Sequence, residues 1–380
     1  MKRLVVVMSM VAMVSGAAVW AQTRRAAPAP NTTPAVMSAA IDKGARWLVS
    51  VQGADGGWGQ DGGAASSARP GERLESSGND VANTAVAALA LLEAGTQYQP
   101  QVERALAFVL QRIEASPVDG LAITDRQGTQ IQRKLGPCID TFLASMLLSQ
   151  IDGRASTPAL NARVRKALQK TVAKIEKHQQ SDGSWNLAGG WAPVLGTSMA
   201  SRSLFEAQAK GVVVNAAVLD RAETYTVTAL SAPAPSPARG ARGGVAGGIA
   251  ASVAPAAAPV ESAGVPLYQS AQALEQLTRT AADRAQNARQ IGAIQDQLAD
   301  GAFVGGFGSM GGEELFSYLN ISDSMKRVGG DAWTKWHANI TQKILGLQNN
   351  DGTWTGHHCI TGRVAMTSAA ILNLTVDNAR

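Results

Sequence analysis

The chain has 380 residues, 45% of them hydrophobic, and 34 Lys and Arg against 29 Asp and Glu give a formal charge of +5. That is enough apolar material for one large buried core, and a single repeat domain of this length is ordinary. Aromatic residues at 5% argue against a cavity lined by stacked rings, and the absence of a basic stripe with interleaved aromatics excludes nucleic acid as an expected partner.

Lys2-Arg3, the apolar run from Leu4 to Val19 and then Val19-Trp20-Ala21 read as the basic region, apolar region and small-residue cleavage site of a signal peptide over 1–21. The expectation is an exported protein, periplasmic or extracellular, with no transmembrane segment after cleavage. Residues 22–36 form a Pro/Ala lead with nothing to bury. The folded domain is expected over 37–378. In an oxidising compartment Cys138 and Cys359 are free to pair or to stay apart, because sequence does not give the separation that decides it.

Helical periodicity starts near Ser38, with Ile41, Ala45, Leu48 and Val49 on one face. It ends at Gln52, before Asp55-Gly56-Gly57-Trp58. A loop over 59–78 leads to Asn79-Asp80, which caps a helix over 81–93 rich in small residues. Val102 to Ile113 is amphipathic. A loop over 115–137 then precedes Cys138-Ile139-Asp140-Thr141 and a helix to about Gln150. Ala162 to Gln180 follows, then Gln179…Asp182-Gly183-Ser184-Trp185 and a helix over 197–209. Val214 to Leu230 is helical, whereas 231–266 is an Ala/Pro/Gly insertion too poor in large apolar residues to fold. Helices are expected over 265–279, 283–298 and 313–325. The chain closes with Trp333 to Leu347, the turn Gln348…Asp351-Gly352-Thr353-Trp354 and a helix over 363–376.

Gln52/Gly56/Trp58, Gln179/Gly183/Trp185 and Gln348/Gly352/Trp354 are three copies of QxxDGxW between helices of the same kinds, the mark of a repeat protein. Asp and Gly suit a tight left-handed turn. Trp supplies apolar surface with one N–H to satisfy, and Gln offers a donor and an acceptor to neighbouring backbone. Thr84, Thr141, Thr197 and Thr367 recur at the starts of the small-residue helices, where capping and packing explain them.

These turns resemble the Gln-Trp repeats of squalene and hopene cyclases and of protein prenyltransferase β subunits. The resemblance runs from about Ala39 to Val376, and it implies an all-α fold, an α/α toroid in which about six hairpins form a double ring around a central cavity. It does not carry the family's activities with it. The cyclases' DxDD motif does not occur here. The prenyltransferases' zinc-binding Asp-x-Cys is matched only by Cys138-Ile139-Asp140, reversed and in the second repeat, and Met366 stands where their His would align.

In such a ring, the loops before the second helix of each hairpin meet at one mouth. That would gather Glu75, Asp80, Asp140, Glu313, Glu314, His357, His358 and Cys359. Glu313 or Glu314 paired with His357 or His358 is the acid–base candidate, set against the plainer role of carboxylates at a helix start. Asp80, Asp140 and Cys359 are candidate ligand-binding groups. No cofactor or metal is expected: zinc on His357, His358 and Cys359 would need three consecutive side chains to converge, which a regular helix forbids and only a loop allows. Trp333 and Trp336 are expected to pack in the core.

The expected function is binding, in the central cavity, of an apolar isoprenoid-like ligand or of an envelope partner protein. Any catalysis would be of the terpenoid-cyclase or prenyltransferase kind. Two alternatives remain: a polysaccharide lyase or glycoside hydrolase on a similar toroid, drawing on Asp80, Asp140, Glu313 and Glu314 with Arg133 and Lys134, and a protein-interaction scaffold. A closed apolar pocket favours the lipid, and an open charged groove favours the glycan.

Overall fold

The computed structural model describes residues 33–61, 78–185, 193–231, 265–306 and 309–377. The expected signal peptide, most of the lead, Glu75 and nearly all of the 231–266 insertion lie outside them. The described residues form α-helices and no strand: α1 (Pro34–Ser50), α2 (Val81–Ala94), α3 (Gln99–Ala115), α4 (Gln130–Leu135), α5 (Ile139–Ile151), α6 (Pro158–Lys177), α7 (Pro193–Ala209), α8 (Ala216–Ser231), α9 (Val265–Leu277), α10 (Ala281–Gln286), α11 (Ala288–Leu298), α12 (Gly301–Val304), α13 (Gly312–Val328), α14 (Gly330–Leu345) and α15 (Arg363–Leu374).

Packing closes a ring. α2 lies against α5, α5 against α7, α7 against α9, α9 against α13, α13 against α15, and α15 returns to α2. Outside it, α1 packs on α15 and α2, α3 on α2, α6 on α5 and α7, α8 on α9, α11 on α9, and α14 on α13. This is the α/α toroid. The inner helices are surrounded by protein, so α2, α5 and α15 carry apolar and small residues on every side and almost no exposed position. The outer helices bury one stripe, as α6 does with Val164, Leu168, Val172 and Ile175.

The three tryptophan turns are built alike. Trp58, Trp185 and Trp354 are buried, and each indole N–H donates to a carbonyl near the end of its own outer helix: Leu48 at 2.8 Å, Ile175 at 2.8 Å and Ile344 at 2.7 Å. The backbone N–H of each Trp donates to a hydroxyl on the inner helix that follows, Thr84 at 2.9 Å, Thr197 at 3.3 Å and Thr367 at 3.1 Å. The recurring threonines thus pin the turn to the inner helix. Thr141, in a hairpin without the motif, donates instead to the Leu121 carbonyl.

Glutamine joins one hairpin to the next. Gln52 Nε2 donates to the Gly56 carbonyl and to Gln101 in α3, and Gln179 Nε2 to Gly183 and to Val218 in α8. Gln348 Nε2 donates to Gly352 and, at 2.9 Å, to Ala40 in α1. The last hairpin therefore docks on the first through the same bond that joins consecutive ones. Glycine is required here for two reasons. Gly56, Gly183 and Gly352 have φ of 86°, 90° and 90°, and a Cβ would fall 2.4 Å from the Arg104 carbonyl oxygen, 2.3 Å from that of Arg221 and 2.9 Å from Lys43 Cβ, all on the next outer helix.

The structure differs from the sequence expectations in three places. The first helix begins at Pro34, inside the expected lead, because Pro supplies a ready first-turn φ. The loop over 115–137 contains α4, started by a capping box in which Thr129 accepts from the Gln132 backbone and Gln132 returns the bond. The helix expected over 283–298 is broken at Asn287, which ends α10 and precedes α11.

Candidate functional site

The inner helices run parallel, so their first turns share one end of the ring. Asp140 in the first turn of α5 accepts from Ala82 N in the first turn of α2 at 3.1 Å, and Tyr268 at the start of α9 donates to Glu314 at the start of α13 at 3.0 Å. The described residues predicted to gather at one mouth lie at this end, with the side chain of His357 exposed and its backbone N–H donated to the Met310 carbonyl.

This end is covered. Gln130 on α4 spans to Thr361 and Gly362, accepting their N–H groups on Oε1 and donating to the Thr361 hydroxyl at 2.8 Å. A Cβ on Gly196, at the start of α7, would lie 2.3 Å from the Leu135 carbonyl oxygen. Asp61 accepts from Arg363 N, and Gln60 O from Val364 N. The carboxylates beneath are buried in two groups. In one, Asp80 caps α2 through the backbone and side chain of Asn83, while Asp140 also takes a bond from Gln132 at 2.6 Å. Burial pushes Asp80 up to about 6. Burial, followed by the charge of Asp80, pushes Asp140 up to about 7.

The second group joins α9, α13 and the segment before α15. Glu314 accepts from Tyr268 and, at 2.9 Å, from Gly311 N, and it lies 3.4 Å from His358 Nε2. Glu313 Oε2 accepts from Ile360 N at 3.1 Å, and burial raises this carboxyl to about 7. Cys359 lies beside Glu313 with a positive φ of 54°, and burial, then the charge of Glu313, pushes its thiol up to about 12. Cys138 and Cys359 are both free thiols. Of the acid–base candidates, the fold brings Glu313, Glu314 and His358 together.

The opposite end holds a cavity of about 430 Å³ lined by five of the six inner helices. Its apolar wall includes Leu89, Met146, Leu319 and Leu372. Its charged groups are Glu93, Arg202, Glu206, Asp323, Lys326 and Arg327. Arg202 is the hub: it pairs with Glu206 at 2.7 Å, donates to Asn320 at 2.8 Å and pairs with Asp323. Burial, then the nearby charge of Asp323, leaves the Glu93 carboxyl above the ordinary glutamate value once the opposing pull of Arg154 is included. None of these charges was singled out from sequence. A signal was present, since Glu93 is the one charged residue in α2. Trp336 packs inside as expected, its N–H on Ser322 Oγ at 2.9 Å, while Trp333 stacks on His337.

Residues 27–120, about a quarter of the chain, match the family model described as squalene-hopene cyclase C-terminal domain. The matched span takes in α1, α2, α3 and the first tryptophan turn. This supports the resemblance carried by the repeats. No curated protein matches the chain.

Proposed function

We propose that this terpenoid-cyclase-like toroid binds a small amphiphile in its axial cavity, at the end where the inner helices finish. The observation that carries the reading is the lining. A cavity of about 430 Å³ lies in the range of small-molecule sites, with Leu89, Met146, Leu319 and Leu372 to hold an apolar, isoprenoid-like body and the Arg202 group to hold a polar end. The reading is of binding rather than cyclisation, since no DxDD acid occurs in the chain. Organic extraction of the purified protein followed by mass spectrometry tests it. A retained isoprenoid, lost in a folded Leu319→Trp variant, is expected; a protein that retains none and binds no added prenol sinks it.

The charges at the cavity favour a second reading, an oligosaccharide ligand. Glu93, Glu206 and Asp323 beside Arg202 and Arg327 form an open rim of mixed charge, which suits hydroxyl-rich ligands. Binding of oligosaccharide but not prenol would select it. The site of action we propose is outside the cytoplasm, and a mature chain starting near Gln22 is the expected result of N-terminal sequencing.

A further inference from the structure

We propose that Glu313, His358 and Cys359 form a zinc site at the covered end of the ring, joining the first turn of α13 to the segment before α15. One ligand atom from each residue lies within 4.8 Å of the others. Carboxylate, imidazole and thiolate together make a donor set that suits zinc. Bond lengths of about 2.0–2.3 Å would bring the three atoms to roughly 3.3–3.8 Å apart, so closing the site takes side-chain rotations of about 1 Å.

Two features point to a cation here. Glu313 is fully buried, and its Oε1 has no hydrogen-bond partner among the described residues, while Oε2 is held by Ile360 N. An unsatisfied oxygen in such a place is costly. Two carboxylates and a thiol share the pocket, and the hydroxyl of Tyr268 is spent on Glu314.

The surroundings fit as well. His358 Nε2 lies 3.1 Å from the Ser309 carbonyl and 3.4 Å from Glu314 Oε2. A ring that donates its proton from Nε2 carries its lone pair on Nδ1, and a carboxylate or carbonyl behind a ligand histidine fixes that tautomer. Metal binding would release the Cys359 proton, and the cation would replace the proton as the counter-charge of this acidic group. The sequence led to no expected metal, and the donor set is not the consecutive trio weighed there: His357 is exposed and Glu313 takes its place.

The test uses the full chain stripped of metal and titrated with Zn²⁺ alone by calorimetry, and with Co²⁺ alone by absorption spectroscopy. One ion per chain and a cobalt–thiolate charge-transfer band in the near ultraviolet are expected. Cys359→Ser should abolish the band, and Glu313→Gln should weaken Zn²⁺ binding at least about tenfold, while His357→Ala changes neither. Glu313→Gln keeps the shape of the side chain, and circular dichroism of each metal-free variant establishes that it is folded. No cobalt–thiolate band in the folded wild type, or an equal loss of affinity in His357→Ala, overturns the proposal.

Discussion

Replacing Trp354 tests whether the ring is closed by the packing described. Its indole is 1% exposed, its N–H bonds the Ile344 carbonyl at 2.7 Å, and its ring reaches the Gly44 position on α1, where an added Cβ would meet it at 3.0 Å. Trp354→Ala leaves a cavity at the seam between α1 and α15 and is expected to cost about 4 kcal/mol. Trp354→Phe keeps most of the apolar surface and loses the N–H. The Ile344 carbonyl still accepts from Leu347 N, so the loss there is about 1 kcal/mol for the bond plus roughly 1 kcal/mol for the smaller ring. Urea unfolding followed by circular dichroism measures both, and amide hydrogen exchange locates the damage. Protection should fall in α1 as well as in α14 and α15, because the first hairpin loses its partner across the seam. A loss below about 1 kcal/mol for the alanine variant, or unchanged exchange in α1, would show that the first and last hairpins are not held together by this turn.

Gly183→Ala should destabilise by more than about 2 kcal/mol, since it adds a backbone clash to an unfavourable φ; Gly211→Ala, at φ 75° with open space around it, should cost only about 1 kcal/mol, and urea midpoints compare the two. Asp140 keeps a proton in the fold that the unfolded chain releases above its ordinary 3.8, so its contribution is full below about pH 4 and is lost as pH rises through about 7. The difference is worth up to about 4 kcal/mol, and Asp140→Asn should flatten the fall in stability between pH 4 and 7. Arg202→Ala leaves Glu206 and Asp323 facing each other without their shared cation, at a cost of about 3–5 kcal/mol in thermal or urea unfolding, and Arg202→Lys should restore only part of it because one ammonium cannot reproduce the fork.

The parts of the fold that could be read in the sequence were those in which one residue type does one job. Trp, Gly and Gln at fixed spacing announced the turns, and Asp80 before an apolar run announced its cap. α4 was hidden because six residues show too little periodicity, and its start depends on a reciprocal bond between Thr129 and Gln132. The acidic end was legible as a gathering of residues, but the cover over it was not, since Gln130 meets Thr361 across 231 positions of chain. The central cavity was expected from the repeats, but its charged lining was missed for a related reason. Charge on Arg202 or Asp323 is visible in the sequence, but whether a helix turns that charge toward the axis or toward a neighbour depends on its rotation, which packing decides.

Parallel inner helices give the two mouths different charged surroundings. Helix N-termini carry partial positive charge and C-termini partial negative charge, and six helices pointing one way add these at the two mouths. Asp80, Asp140, Glu313 and Glu314 sit at the first mouth; at the second, Arg202, Lys326 and Arg327 lie among Glu93, Glu206 and Asp323, and Lys326 donates to the Val376 carbonyl just beyond α15 at 2.7 Å. The amino-terminal mouth is covered by Gln130 and the 356–362 segment. At the carboxy-terminal mouth the cavity of about 430 Å³ is lined by long charged side chains, with Arg202 held by Glu206 and Asp323. The proposed ion site and the proposed ligand site therefore lie at opposite ends, and substitutions at one end should leave the other unaffected: Cys359→Ser should not change ligand retention, and Leu319→Trp should not change the cobalt spectrum.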